Sequence, residues 1–106
     1  MARRKGVTYS RESAFHALGL ADADDLVLRA QLMQRIADIV KKRGLTQAQA
    51  GRLMAMDQPR VSALLKGRIE KFSTDRLLKA LSDLGQNVEL HISPAPRGKG
   101  RIRVAA

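Results

Sequence analysis

Gln58, Arg60 and Ser62 stand at alternate positions in the segment DQPRVSALLKG, with Val61, Leu64 and Leu65 between and after them. The three polar side chains form a set of hydrogen-bonding ends. Glutamine can bond bidentately to adenine and arginine to guanine, while serine can bond to either. Pro59 and Ala63 are compact apolar groups of the kind that touch a thymine methyl. Asp57 stands where it can cap a helix, and Pro59 near the first helical position, where a missing N–H costs little. The spacing predicts a helix to about Lys66, ended by Gly67, with Val61 pointing inward between the polar positions.

Such a helix needs a partner that holds it at an angle and leaves its polar face free. Residues 45–54 supply one. Thr46 can cap a preceding helix, with Gln49 three residues on to complete a capping box. Ala50 and Gly51 are small where a second helix would cross. Met54, Ala55 and Met56 make the bend, and Leu53, Met54, Met56, Val61, Leu64 and Leu65 are the candidate buried contacts. This is the plan of a helix-turn-helix, which lays its second helix in the major groove with the N-terminal residues nearest the bases. Gln47, at the start of the first helix, is placed to meet a phosphate, and Arg52, Lys66 and Arg68 are further phosphate candidates. From residue 41 to 79 there are ten Lys or Arg against three Asp or Glu, so positive charge gathers around the motif.

The rest of the chain reads as support. It has 106 residues, a net charge of +10 and 44% apolar residues, but only 3% aromatics (Tyr9, Phe15 and Phe72), so the core must be aliphatic. Residues 1–20 form a basic arm with a short helix over 10–20, and residues 21–86 the helix-turn-helix domain. Residues 22–43 are the strongest helix. Leu26, Ala30, Met33, Ala37 and Val40 make a stripe that Leu28, Leu32, Ile36 and Ile39 widen. Asp22, Asp24 and Asp25 at its start and Lys41, Lys42 and Arg43 at its end follow the helix dipole, a simpler account of the aspartates than a metal site. A connector over 68–72 leads to a last helix capped by Ser73, with Leu77, Leu78, Leu81 and Leu84 on one face. Residues 87–106 change period. Val88, Leu90 and Ile92 alternate with Glu89, His91 and Ser93 as a half-buried strand does. Two placements stay open: pairing with a second molecule, or docking on its own helices or on Arg101–Val104.

On these residues the chain resembles the Cro/cI-type repressors, the Xre family. Leu45, Thr46, Gln47, Met54, Gln58, Val61, Ser62, Leu64 and Gly67 match the family's pattern. Gly51 replaces the usual Ala at the crossing, a change expected to be sterically harmless. Ala55 stands where the bend usually has Gly, at a position that often needs positive φ. The segments on either side resemble the HigA-type antitoxin group of that family. The resemblance implies an all-α fold, a five-helix lambda-repressor-like domain with a C-terminal β-strand for a dimer. It implies a bacterial, cytoplasmic repressor, nucleoid-associated when bound, whose homodimer reads an operator palindrome in double-stranded DNA. It further implies a RelE-like, mRNA-cleaving toxin as partner; the alternative is a stand-alone Xre repressor.

Enzyme classes find no support. The chain has no cysteine, two separated histidines, no nucleophile elbow and no phosphate loop, so neither catalytic residues, nor metal ligands, nor a cofactor is expected. No stretch approaches the roughly 20 apolar residues of a membrane span. RNA is disfavoured because no exposed aromatics are expected to stack unpaired bases. With Arg52, Lys66 and Arg68 on phosphates in each of two half-sites, affinity for DNA should fall on the order of a thousandfold between about 50 and about 200 mM salt. A flat salt titration of fluorescent operator DNA would rule out those contacts.

Overall fold

The computed structural model describes residues 20–105; the basic arm and most of the short helix expected over 10–20 lie outside them. Four α-helices follow one another with short connections: α1 (Leu20–Lys42), α2 (Gln47–Met54), α3 (Gln58–Leu65) and α4 (Thr74–Asp83), with a 3-10 turn, Ile69–Lys71, between the last two. Among the described residues none of these helices is long and apolar enough to cross a membrane.

The long α1 is the spine, packing on α4, on α3 and on the 3-10 turn, while α2 packs on α3 and α4. Its buried residues are Leu32, Met33, Ile36 and Val40, with Leu28 and Ile39 partly buried beside them. The seam takes Met33 and Val40 from the expected stripe and Leu32 and Ile36 from the residues expected to widen it. Leu26 and Ala30, expected at its centre, are exposed. A 23-residue helix presents two overlapping apolar rows, and only the position of its neighbours selects between them. Gly44, with φ 64°, ends α1: its N–H bonds the Lys41 carbonyl and the Leu45 N–H the Val40 carbonyl, which satisfies two of the terminal acceptors.

The caps sit where the sequence places them. Thr46 Oγ1 accepts the Gln49 N–H at 3.0 Å and Gln49 Oε1 accepts the Thr46 N–H at 2.8 Å, a complete capping box. Asp57 and Ser73 accept the Arg60 and Arg76 N–H groups at 3.0 and 3.2 Å. Leu77, Ala80, Leu81 and Leu84 complete the core from α4.

Two features lie outside the periodicity. Phe72, expected in a connector, is a core residue at 3% exposure. Arg29 gathers the 3-10 turn onto α1. Its Nη1 donates to the Ile69 carbonyl at 3.1 Å and to the Phe72 carbonyl at 3.0 Å, and its Nη2 pairs with Asp25 at 2.7 Å. Asp25 also accepts the Thr74 hydroxyl at 3.2 Å. Asp25 is thus more than a dipole partner: it anchors the arginine that holds α4's entry.

After α4 the chain forms neither helix nor strand up to Ala105, so the strand expected over 87–93 has no ladder here. A strand is defined by its hydrogen-bonded neighbour, and no backbone bond joins these residues to others described. Leu90 and Ile92 are 83% and 90% exposed. Arg101–Val104, one candidate partner, docks on α1 instead: the Val104 N–H donates to Gln31 Oε1 at 2.9 Å, Arg35 donates to the Ala105 carbonyl at 2.8 Å, and Val104 packs against the core. Because both Asp25 and Arg29 are only 18% exposed, Asp25→Ala should cost about 1–3 kcal/mol by leaving a partly buried guanidinium short of its anion. Urea unfolding would check this, and an unchanged midpoint would reduce the pair to a surface ornament.

Candidate nucleic-acid interface

The motif's geometry is set where α2 meets the chain entering α3. A Cβ on Gly51 would lie 2.6 Å from the Met56 carbonyl oxygen and 3.2 Å from Val61 Cγ2. The first distance is well inside contact and involves backbone, which cannot rotate away. The expectation that Gly51 is a harmless stand-in for alanine is therefore corrected: glycine lets α3 approach this closely. Ala55 carries the complementary departure. It takes φ 56° and ψ 47°, the left-handed region that a Cβ disfavours. The two positions have exchanged their usual small residues, and the turn has kept its shape.

A clamp from α4 holds this turn. Arg76 Nη2 donates to the Met54 carbonyl at 2.7 Å and more weakly to the Ala55 carbonyl at 3.4 Å. It thereby takes up acceptors at the C-terminus of α2 and favours the dipole there. Nothing in the sequence marks Arg76, since its partner is backbone 22 residues away. Met54 and Val61 are fully buried and Met56 nearly so, which fixes the crossing from below. Leu53, expected among the buried contacts, is 42% exposed.

With the crossing fixed, the first turn of α3 projects outward. Gln58, Pro59 and Arg60 are exposed, whereas Ser62 and Ala63, one turn further on, are half-buried. Gln47, Arg52 and Gln58 line one open cleft of about 400 Å³ together with Ala48, Gly51, Ala55 and Met56. Two phosphate candidates and one base candidate thus share a single concavity. Lys66 and Arg68 are exposed beyond the far end of α3, away from that cleft. The guanidinium of Arg60 sits over the Phe72 ring, 5.3 Å from its centroid.

These features define a helix-turn-helix: a capped first helix, a tight left-handed bend, a close crossing and a second helix with an exposed polar first turn. The comparisons agree. A helix-turn-helix domain family matches residues 14–93. A solved structure provisionally named as an XRE family transcriptional regulator is 32% identical, with a TM-score of 0.71 over 80% of this chain and 96% of that one. No curated protein matches the chain. The chain belongs to the XRE family of helix-turn-helix proteins.

The exchanged residues make opposite predictions. Ala55→Gly should stabilise the domain by about 1 kcal/mol by relieving the left-handed alanine. Gly51→Ala should destabilise it by about 1–3 kcal/mol through overpacking. Thermal melts of the two variants would settle this, and a neutral Gly51→Ala would mean the crossing relaxes freely.

Proposed function

We propose that the chain is a sequence-specific transcriptional repressor that reads an operator palindrome in double-stranded DNA as a homodimer. The observation that carries this is the exposed first turn of α3, with Gln58, Pro59 and Arg60 presented beside a cleft that holds Gln47 and Arg52. In this reading α3 lies in the major groove. Gln58 and Arg60 make the bidentate contacts to adenine and guanine, and Pro59 packs on a thymine methyl. Ser62 and Ala63, half-buried, make shorter-range contacts deeper along the helix. Gln47, Arg52, Lys66 and Arg68 hold phosphates on the two sides of the groove and set the helix's register.

One α3 reads one half-site, so specificity on a long operator calls for two copies. The segment bearing Val88, Leu90 and Ile92 suits that contact, because its apolar side chains are 44%, 83% and 90% exposed in a single chain. Pairing with the same segment of a second copy would cover them and satisfy the free edge. Repression then follows from occupancy of the operator, in the bacterial cytoplasm. The finer reading is an antitoxin that autoregulates its own operon. It rests on the resemblance of the flanking segments to the HigA-type group.

Selection of bound DNA from a random pool should return a palindrome with half-site centres about one helical turn, roughly 34 Å, apart or a multiple of that. On that site Arg60→Ala should lose about 1–3 kcal/mol and relax one base preference, while Arg52→Ala should weaken all sequences alike. If both variants weaken selected and random DNA equally, α3 is not the reading helix. Co-expression with the product of an adjacent small reading frame separates the finer readings: a stable complex supports the antitoxin, and failure to bind supports a stand-alone repressor.

A further inference from the structure

We propose that Phe72 is a positioning residue for Arg60: its ring holds the guanidinium at the exposed end of α3 and so sets the base preference at one operator position. This rests on the reading of α3 as the DNA-reading helix.

Both ends of the contact are anchored. The Phe72 ring belongs to the hydrophobic core, at 3% exposure. Its backbone is fixed on both sides, the N–H donating to the Ile69 carbonyl at 3.2 Å and the carbonyl accepting Arg29 Nη1 at 3.0 Å. The Arg60 backbone is fixed by Asp57 Oδ1, which accepts its N–H at 3.0 Å. Between these points the guanidinium carbon lies 5.3 Å from the ring centroid, inside the roughly 6 Å range of a cation–π contact.

The chemistry of the partner matters more than its presence. Arg29, Arg43 and Arg76 spend donors on backbone carbonyls, and Arg29 pairs with a carboxylate as well. Arg60 has no acidic partner among the described residues. A carboxylate would occupy the donor fork and cancel the charge. An aromatic face attracts the cation from above the ring, while the N–H donors of a guanidinium lie in the guanidinium's own plane. The ring can therefore restrict the side chain and leave its bidentate edge free for guanine O6 and N7. A long side chain loses rotamer freedom when it is captured by a base, and part of that loss is already taken here. Arg60 is thus presented as an ordered donor fork, and the residue that orders it is supplied by the turn after α3.

The test measures binding of the full chain to its selected operator, to the operator with each base pair changed, and to random DNA. Phe72→Leu should weaken the operator roughly twofold to fivefold. The loss should be confined to the base position that Arg60→Ala relaxes, leave random DNA unaffected, and vanish in the Arg60→Ala background. Equal weakening on all DNA, or an intact preference at that position, overturns the proposal. If Phe72→Leu does not fold, pentafluorophenylalanine at position 72 keeps the ring's shape and inverts its charge distribution. The same position-specific loss then supports the proposal, and wild-type preference overturns it. If Arg60→Ala relaxes no position at all, the reading of α3 fails, and the positioning role fails with it.

Discussion

The structure depends on one close approach. The Met56 carbonyl comes so near α2 that a Cβ at position 51 would lie 2.6 Å from its oxygen, so any residue but glycine there must shift the backbone. That contact sets how α3 crosses α2. The crossing in turn decides which side chains of α3 are buried and which are offered to a partner. Val61 and Leu64 go inward into the core that also holds Met54 and Ile36, and Gln58 and Arg60 are left outside by the same rotation. The left-handed Ala55 is the strain that accompanies the bend, and the Arg76 clamp on the Met54 carbonyl helps to offset it.

The positive charge divides between two tasks. Arg29, Arg43 and Arg76 are turned inward onto backbone carbonyls: Arg29 gathers the 3-10 turn, Arg43 caps Leu84 at the end of α4, and Arg76 holds the bend. Guanidinium suits this work because its several donors reach more than one carbonyl at once. Arg52, Lys66 and Arg68 stay exposed, and Arg60 is exposed but ordered on a ring. A net charge of +10 therefore overstates what is available to a polyanion. Part of the excess is structural, supplying donors to carbonyls at helix ends and in connections that lack intrahelical partners.

Local chemistry was legible wherever the deciding partner is a few residues away. Thr46 with Gln49, Asp57 with Arg60 and Ser73 with Arg76 each close a cap within three residues, and all three were readable from residue type and spacing. The bend at Ala55 was readable for the same reason. The helix-turn-helix followed from these, with the exposed positions of α3 and the basic surround. Less legible was anything settled by a distant neighbour. Leu26 and Leu53 look like core by periodicity and are exposed, while Phe72 looks like connector and is buried. The alternation over 87–93 announces a strand, yet a strand needs a partner, and the chain's own tail is held on α1 by Gln31 and Arg35.

The sequence by itself determined helices α1 to α4, their caps and the helix-turn-helix motif, because those depend on spacing within one or two turns. Tertiary structure decided the rest. It chose which apolar row of α1 faces inward, made Gly51 a requirement rather than a substitution, and drew Asp25, Arg29 and Arg76 into service 20 to 50 residues along the chain from their partners. It also set Arg60 over Phe72. Each of these is a meeting of groups remote in sequence, and their distances exist only once the helices have packed.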